Sequence, residues 1–185
     1  MFIQTETTPN PATLKFLPGK VVLEEGTREF RQASEAEPVS PLAARLFAVD
    51  GVTGVFLGSD FISVTKDRRE WQLLKPAVLG AIMEHFLSGE PVVTGGHGAG
   101  HAGEDFDAKD AEIVATIKEL IETRVRPAVA NDGGDIIFRG FRSGIVYLKM
   151  QGACSGCPSS TATLRHGIEN LLKHFIPEVE EVQPV

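Results

Sequence analysis

The chain has 185 residues, 42% apolar and 23% charged, a composition that excludes disorder throughout and supplies enough apolar surface for one large core or two small ones. Its net charge of −7 is spread evenly, −3 up to Glu90 and −4 beyond it, with no basic run, which argues against nucleic acid as the main partner. No apolar run is long enough to span a bilayer, and the opening MFIQTETTPNP has neither a basic leader nor an Arg-rich transit pattern. The expectation is a soluble, bacterial cytoplasmic protein, with the mature form of a mitochondrial matrix protein as the alternative.

In chain order, Phe2 to Thr7 and Thr13 to Leu17 read as short strands separated by the Pro9-Asn10-Pro11 turn. Arg28 to Val39 is polar and irregular. Ser40-Pro41 reads as an N-cap followed by proline at the first helical position, with Leu42, Leu46 and Val49 on one face of the helix. Val52 to Leu57 and Phe61 to Thr65 read as a hairpin turning at Gly58-Ser59-Asp60. A further helix is expected from Pro76 to Gly89, with Leu79, Ile82, Met83, Phe86 and Leu87 as its apolar stripe.

Residues 89–109 then form a glycine-rich stretch without apolar period, expected to be a flexible linker between a front domain (1–88) and a rear domain (110–185). In the rear domain, Asp110 should cap a helix carrying Ile113, Ile117, Leu120 and Ile121, with Pro127 near its end. Asn131 to Asp135 reads as a turn, and Ile136 to Phe141 and Ile145 to Gln151 as strands. A second helix follows with Leu164, Ile168, Leu171, Leu172 and Phe175, and Val179 to Val182 reads as an edge strand. The fold class is α+β, two small α/β sandwich domains joined by the linker.

The chain has two cysteines, Cys154 and Cys157, between the end of a strand and the start of a helix. Gly152 and Gly156 permit a tight turn, and Pro158 suits a first helical position, so the positive end of the helix faces the thiols and favours thiolate. Three readings compete. A thioredoxin-like redox pair needs more chain after the motif than the 28 residues that follow Cys157. Structural zinc wants four ligands; His166 and His174 on the following helix are poorly spaced, so zinc would have to bridge two chains as the core of a dimeric adaptor. A [4Fe–4S] cluster takes four thiolates, which two chains supply as a symmetric dimer.

Other candidates read more plainly. His97 and His101 lie in the glycine-rich linker, not on a helix. Asp132 and Asp135 fit turn chemistry. Arg124, Arg126, Arg139 and Arg142 read as solvated charge, and Trp71 as packing.

The segment Asn131-Asp132-Gly133-Gly134-Asp135-Ile136, followed by Gly152-Ala153-Cys154-Ser155-Gly156-Cys157-Pro158-Ser159-Ser160-Thr161, resembles the C-terminal domain of the Nfu/NifU family. The front end, with Thr8-Pro9-Asn10-Pro11, Leu14-Lys15-Phe16, Trp71 and Leu74-Lys75-Pro76, resembles the N-terminal domain of the same family. The resemblance implies an iron–sulfur cluster scaffold and carrier, not an enzyme. It implies a labile [4Fe–4S] cluster held between two subunits by Cys154 and Cys157, received from the assembly machinery and passed to apo iron–sulfur client proteins. The front domain would carry no cluster ligands, and no nucleic acid or membrane would be involved.

Overall fold

The computed structural model describes residues 1–94, 104–154 and 158–185, with the side chains of 158–161 outside the description. The chain forms two compact units, residues 1–100 and 101–185. Among the described residues, no helix is long and apolar enough to cross a membrane.

Among the described residues, unit 1 is a five-stranded antiparallel sheet with three helices. The strands are β1 (Gln4–Thr7), β2 (Thr13–Leu17), β3 (Arg28–Phe30), β4 (Val52–Leu57) and β5 (Ile62–Lys66), in the order β1-β2-β5-β4-β3. The helices are α1 (Ala33–Ala36), α2 (Pro41–Phe47) and α3 (Trp71–Ser88). Phe16, Leu57 and Ile62 are cross-strand partners and fully buried, and they meet Leu42, Leu46, Val78 and Ile82 of the helices in one core. Ser40 caps α2 as its sequence implies, accepting a hydrogen bond from the Ala43 amide at 3.1 Å. Its hydroxyl also donates to the Val92 carbonyl at 2.6 Å.

Three expectations need correction in this unit. The stretch from Arg28 to Val39 is not irregular; it holds edge strand β3 and the short helix α1. Helix α3 begins at Trp71, and Pro76 lies inside it. The carbonyl that loses its donor there belongs to Gln72, on the exposed side, where water can serve it. The helix also presents a different face to the core. Leu74, Val78, Ile82 and His85 are buried, whereas Met83 and Leu87 of the expected stripe are exposed. Gly89 ends the helix in the left-handed region, at φ +75°.

Unit 2 is a four-stranded mixed sheet of β6 (Asp105–Phe106), β7 (Gly134–Arg142), β8 (Ile145–Gly152) and β9 (Glu181–Pro184), in that order. The β7–β8 hairpin is antiparallel, and short parallel strands flank it on both edges. Alternate hairpin residues Ile136, Phe138, Val146, Leu148 and Met150 are buried with the apolar sides of α4 (Ala111–Leu120), α5 (Arg126–Asn131) and α6 (Pro158–Phe175).

The first helical stretch runs further than expected. A turn of i to i+5 type, Ile121–Val125, joins α4 to α5, so Pro127 is carried inside a nearly continuous helical segment. A regular helix would drive the Pro127 ring into the Thr123 carbonyl; the wider turn relieves that clash. Asp110 stands at the α4 N-cap position without a side-chain cap bond. The last edge strand, expected over Val179 to Val182, forms two residues later as β9, parallel to β8.

The expected linker 89–109 is anchored at both ends. Thr94 donates from its amide to the Val39 carbonyl, Val92 and Val93 pack on the unit 1 core, and Asp105–Phe106 pairs with β7. His97 and His101 lie outside the described residues.

Candidate functional site

The sequence places a thiol where strand β8 gives way to α6, and the fold builds one end of the β7–β8 hairpin around it. Gly133 and Gly152 both adopt positive φ, +78° and +68°, which lets the chain turn sharply into β7 and out of β8. Gly134 pairs with Gly152 across the hairpin, and the Ala153 amide donates to the Gly133 carbonyl at 3.2 Å. Cys154 sits just past this pair and is 6% exposed.

Gly134 is required by space as well as by pairing. A Cβ at that position would stand 2.6 Å from the Gln151 carbonyl oxygen and 3.0 Å from Cys154 Sγ. Only glycine leaves the sulfur its place. Asn131–Asp135 and Gly152–Cys154, the described parts of the two segments singled out in the sequence, are thus brought together at one end of one hairpin. Cys157 itself lies outside the described residues. Helix α6 begins at Pro158, directly after it, as the sequence implies.

Asp135 and Arg126 are more than turn residue and solvated charge. Asp135 is 3% exposed, and its carboxylate accepts two hydrogen bonds from the Arg126 guanidinium, both at 2.8 Å, and one from the Ile136 amide. Arg126 also reaches Glu122, and these bonds raise its already high pKa further against the cost of burial. The pair fastens the start of β7, and with it Gly134, to the helical segment that holds Pro127. In the sequence the pair is hidden: nine residues and a reversal of direction separate the two charges.

The remaining candidates are dispersed. Arg124 lies over the Phe175 ring, Arg142 pairs with Asp105, and Arg139 is half-buried on β7. Asp132 is exposed after α5, and His166 and His174 are exposed on α6. Trp71 donates from its indole to the Pro11 carbonyl and stacks edge-on against Phe16, a packing role in unit 1. Among the described residues, no group of three or more His, Cys, Asp or Glu side chains is placed to hold a metal ion. A polar groove of about 310 Å³, lined by Asp107, Asp110, Arg142 and Glu178, occupies the turn end of the hairpin, away from the thiol.

Comparison with known proteins bears on both units. A family model described as "Scaffold protein Nfu/NifU N terminal" matches residues 3–89, and one described as "NifU-like domain" matches 117–183. A human protein named "NFU1 iron-sulfur cluster scaffold homolog, mitochondrial" is 54% identical over the whole chain, which spans 72% of that protein. "NifU-like protein 4, mitochondrial" of Arabidopsis thaliana is 51% identical over 99% of the chain, which spans 65% of that protein. The chain therefore spans about two thirds of the length of these relatives. A solution NMR structure of a NifU-like protein from Saccharomyces cerevisiae aligns at a TM-score of 0.46 with 29% identity, over 52% of this chain and 87% of that one. Both relatives are named as mitochondrial, which overturns the expectation of a bacterial cytoplasmic protein. The two family models and the identity to these relatives establish that the chain belongs to the Nfu/NifU family of iron–sulfur cluster scaffold proteins.

Proposed function

We propose that the protein is a carrier of [4Fe–4S] clusters, each held between two copies of the chain by Cys154 and Cys157 of both, and delivered to apo iron–sulfur proteins in the mitochondrial matrix. The observation that carries this reading is the glycine-lined seat for the Cys154 sulfur at the mouth of a hairpin, next to the start of α6. Two thiolates per chain and no third ligand among the described residues leave a single copy short of the four a cluster needs. Two copies complete the set, and a symmetric pair is the simplest way to bring them together.

The cluster is cargo, and its handling is ligand exchange. A client thiolate forms an iron–sulfur bond, one cysteine sulfur of the carrier leaves that iron and takes up a proton, and no electron changes hands. Separation of the two copies halves the carrier's ligands, which makes release reversible and stepwise. The chain therefore acts as a scaffold and not as an enzyme, with the assembly machinery upstream and apo-proteins downstream.

Serine at either cysteine tests the assignment. Cys154→Ser and Cys157→Ser should each lose bound iron and the cluster-linked dimer together. A variant that keeps both with normal iron content overturns it. A colourless protein that binds zinc, or one that cycles a Cys154–Cys157 disulfide as a monomer, would favour the competing uses of the same spacing.

A further inference from the structure

His85 is a polar side chain in an apolar place. It sits in the last turn of α3, close to where the helix meets solvent, yet it is fully buried. Both ring nitrogens are buried without a hydrogen-bond partner among the described residues. The ring stands edge-on to Phe86 at 5.6 Å between centroids, a contact that phenylalanine would make equally well. A buried donor and a buried acceptor left unpaired carry a cost that an apolar ring of the same shape avoids. Packing alone therefore does not explain a histidine here.

The chain that follows α3 forms a strap beside this ring. Gly89 ends the helix in the left-handed region, and a Cβ there would meet nothing within 4 Å. Residues 90–94 then run past the start of α2. The Ser40 hydroxyl donates to the Val92 carbonyl at 2.6 Å, and the Thr94 amide and hydroxyl both donate to the Val39 carbonyl, at 2.8 and 3.2 Å. Val92 and Val93 lie against the core of unit 1. Arg45 of α2 fastens the near end, with one guanidinium nitrogen on Glu84 at 2.9 Å and the other on Glu90 at 3.0 Å. Both ion pairs are partly exposed, and such pairs hold weakly. The strap is thus fixed by a few bonds and two half-buried valines, the kind of segment that opens before its domain unfolds.

The charged groups around the ring come from each neighbouring element. Arg45 faces it from α2, Glu90 from the strap and Glu84 from α3 itself, while Lys20 lies further out, over the Phe86 ring at 6.0 Å. Burial, and secondly the Arg45 cation, oppose a proton on the ring; the Glu90 carboxylate and backbone favour one, and burial prevails. With the strap closed, the ring takes a proton less readily than it does in water. With the strap open, water reaches the ring and it regains its ordinary behaviour. By linkage, proton uptake below about pH 6.5 favours the open strap.

We propose that His85 is a pH-sensitive latch: a proton on its ring releases residues 90–94 from α2, hinged at Gly89, while the rest of unit 1 stays folded. Release frees five residues, about 17 Å of extended chain, for the connection between the two units.

The test is amide hydrogen exchange on the full chain at about pH 7.5 and about pH 5.5, corrected for the intrinsic pH dependence of exchange. The Thr94 amide should be at least about tenfold less protected than the amides of the β4–β5 hairpin and indifferent to low urea, because it opens without unfolding of unit 1. Its protection should fall several-fold between the two pH values, with about tenfold as the ceiling for a histidine of ordinary pKa in the open state. In His85→Phe, which keeps the ring contact with Phe86, Thr94 should show the same protection at both pH values. A Thr94 amide as well protected as the hairpin opens only with the whole unit and overturns the proposal. Protection that does not change with pH in the parent chain, or that still falls in His85→Phe, overturns it as well.

Discussion

Unit 1 and unit 2 each bury one face of a sheet under helices, yet they distribute their departures from regular structure differently. In unit 1 the positive-φ glycines lie at turns and at a helix end, as Gly51 and Gly89 do, and the buried polar groups are dispersed, as Ser40 at the start of α2 and His85 on α3 are. In unit 2, Gly133, Gly134 and Gly152, the bond of half-buried Arg126 to buried Asp135, and the buried thiol meet at one end of one hairpin. None of these is an efficient way to stabilise a small sheet. Glycine in strands weakens pairing, and a buried ion pair does little better than apolar packing. Their concentration beside Cys154 supports the proposed site.

The sharpest way to break this contrast is at Gly134. Gly134→Ala pushes a methyl into the space of the Gln151 carbonyl and the Cys154 sulfur. Overpacking of this kind costs about 1–3 kcal/mol, which a folded unit can survive. Retention of iron after reconstitution should nevertheless fall by most of its value, measured against a secondary-structure signal that stays native.

The next effect is on stability. Arg126→Gln leaves the Asp135 carboxylate buried and poorly paired and should cost unit 2 roughly 3 kcal/mol. Tyr147, the single tyrosine, reports unit 2, and Trp71, the single tryptophan, reports unit 1. Urea unfolding followed at both should move at the tyrosine and stay in place at the tryptophan. Replacing Arg126 and Asp135 together by leucine should recover much of the loss. No recovery would mean that the pair is needed for more than charge balance.

Unit 1 has its own buried titratable group. His85 is fully buried on α3, and neither ring nitrogen has a hydrogen-bond partner among the described residues. Burial, and secondly the nearby Arg45 cation, hold its pKa below the ordinary 6.5, with Glu90 opposing. The folded state therefore takes up this proton less readily than the unfolded chain does. Stability is full above about pH 6.5 and declines as the pH falls below it. His85→Phe should flatten that decline in the tryptophan signal and leave the tyrosine signal unchanged. A slope that persists would place the responsible proton elsewhere.

The smallest expected effect is at the α2 cap. Ser40→Ala removes one bond to the Ala43 amide and one to Val92, for about 1 kcal/mol, or 4–8 °C in the midpoint of a unit this size. Differential scanning calorimetry is sufficient to see it, and unit 2 should keep its midpoint.

What the sequence discloses and what it hides divide along physical lines. The Ser40-Pro41 start, the glycine at the end of α3, the hairpin of unit 2 and the thiols ahead of α6 are local signals, carried by a few adjacent residues, and the fold follows them. The phase of α3 is not local. A helix apolar on both faces gives the periodicity no preference, so tertiary packing chose Leu74, Val78, Ile82 and His85 over the stripe through Met83 and Leu87. Pro76 misdirects for a related reason, since its missing donor costs little where the abandoned carbonyl faces water. Strand β3 and β6 are short edges whose pairing partners lie far away in the chain. Within the site, the thiol and the glycines are legible as residue types, but the need for Gly134 and the Arg126–Asp135 bond exist only once β7 and β8 are paired.

The most direct measurement is anaerobic reconstitution of the chain with iron and sulfide, followed on one sample by iron content, sulfide content, visible absorption and mass in solution. The account predicts about four irons and four sulfides per two chains, a brown dimer, and neither in the serine variants. A cluster on a monomer, or a dimer of full iron content without Cys154 or Cys157, would contradict it.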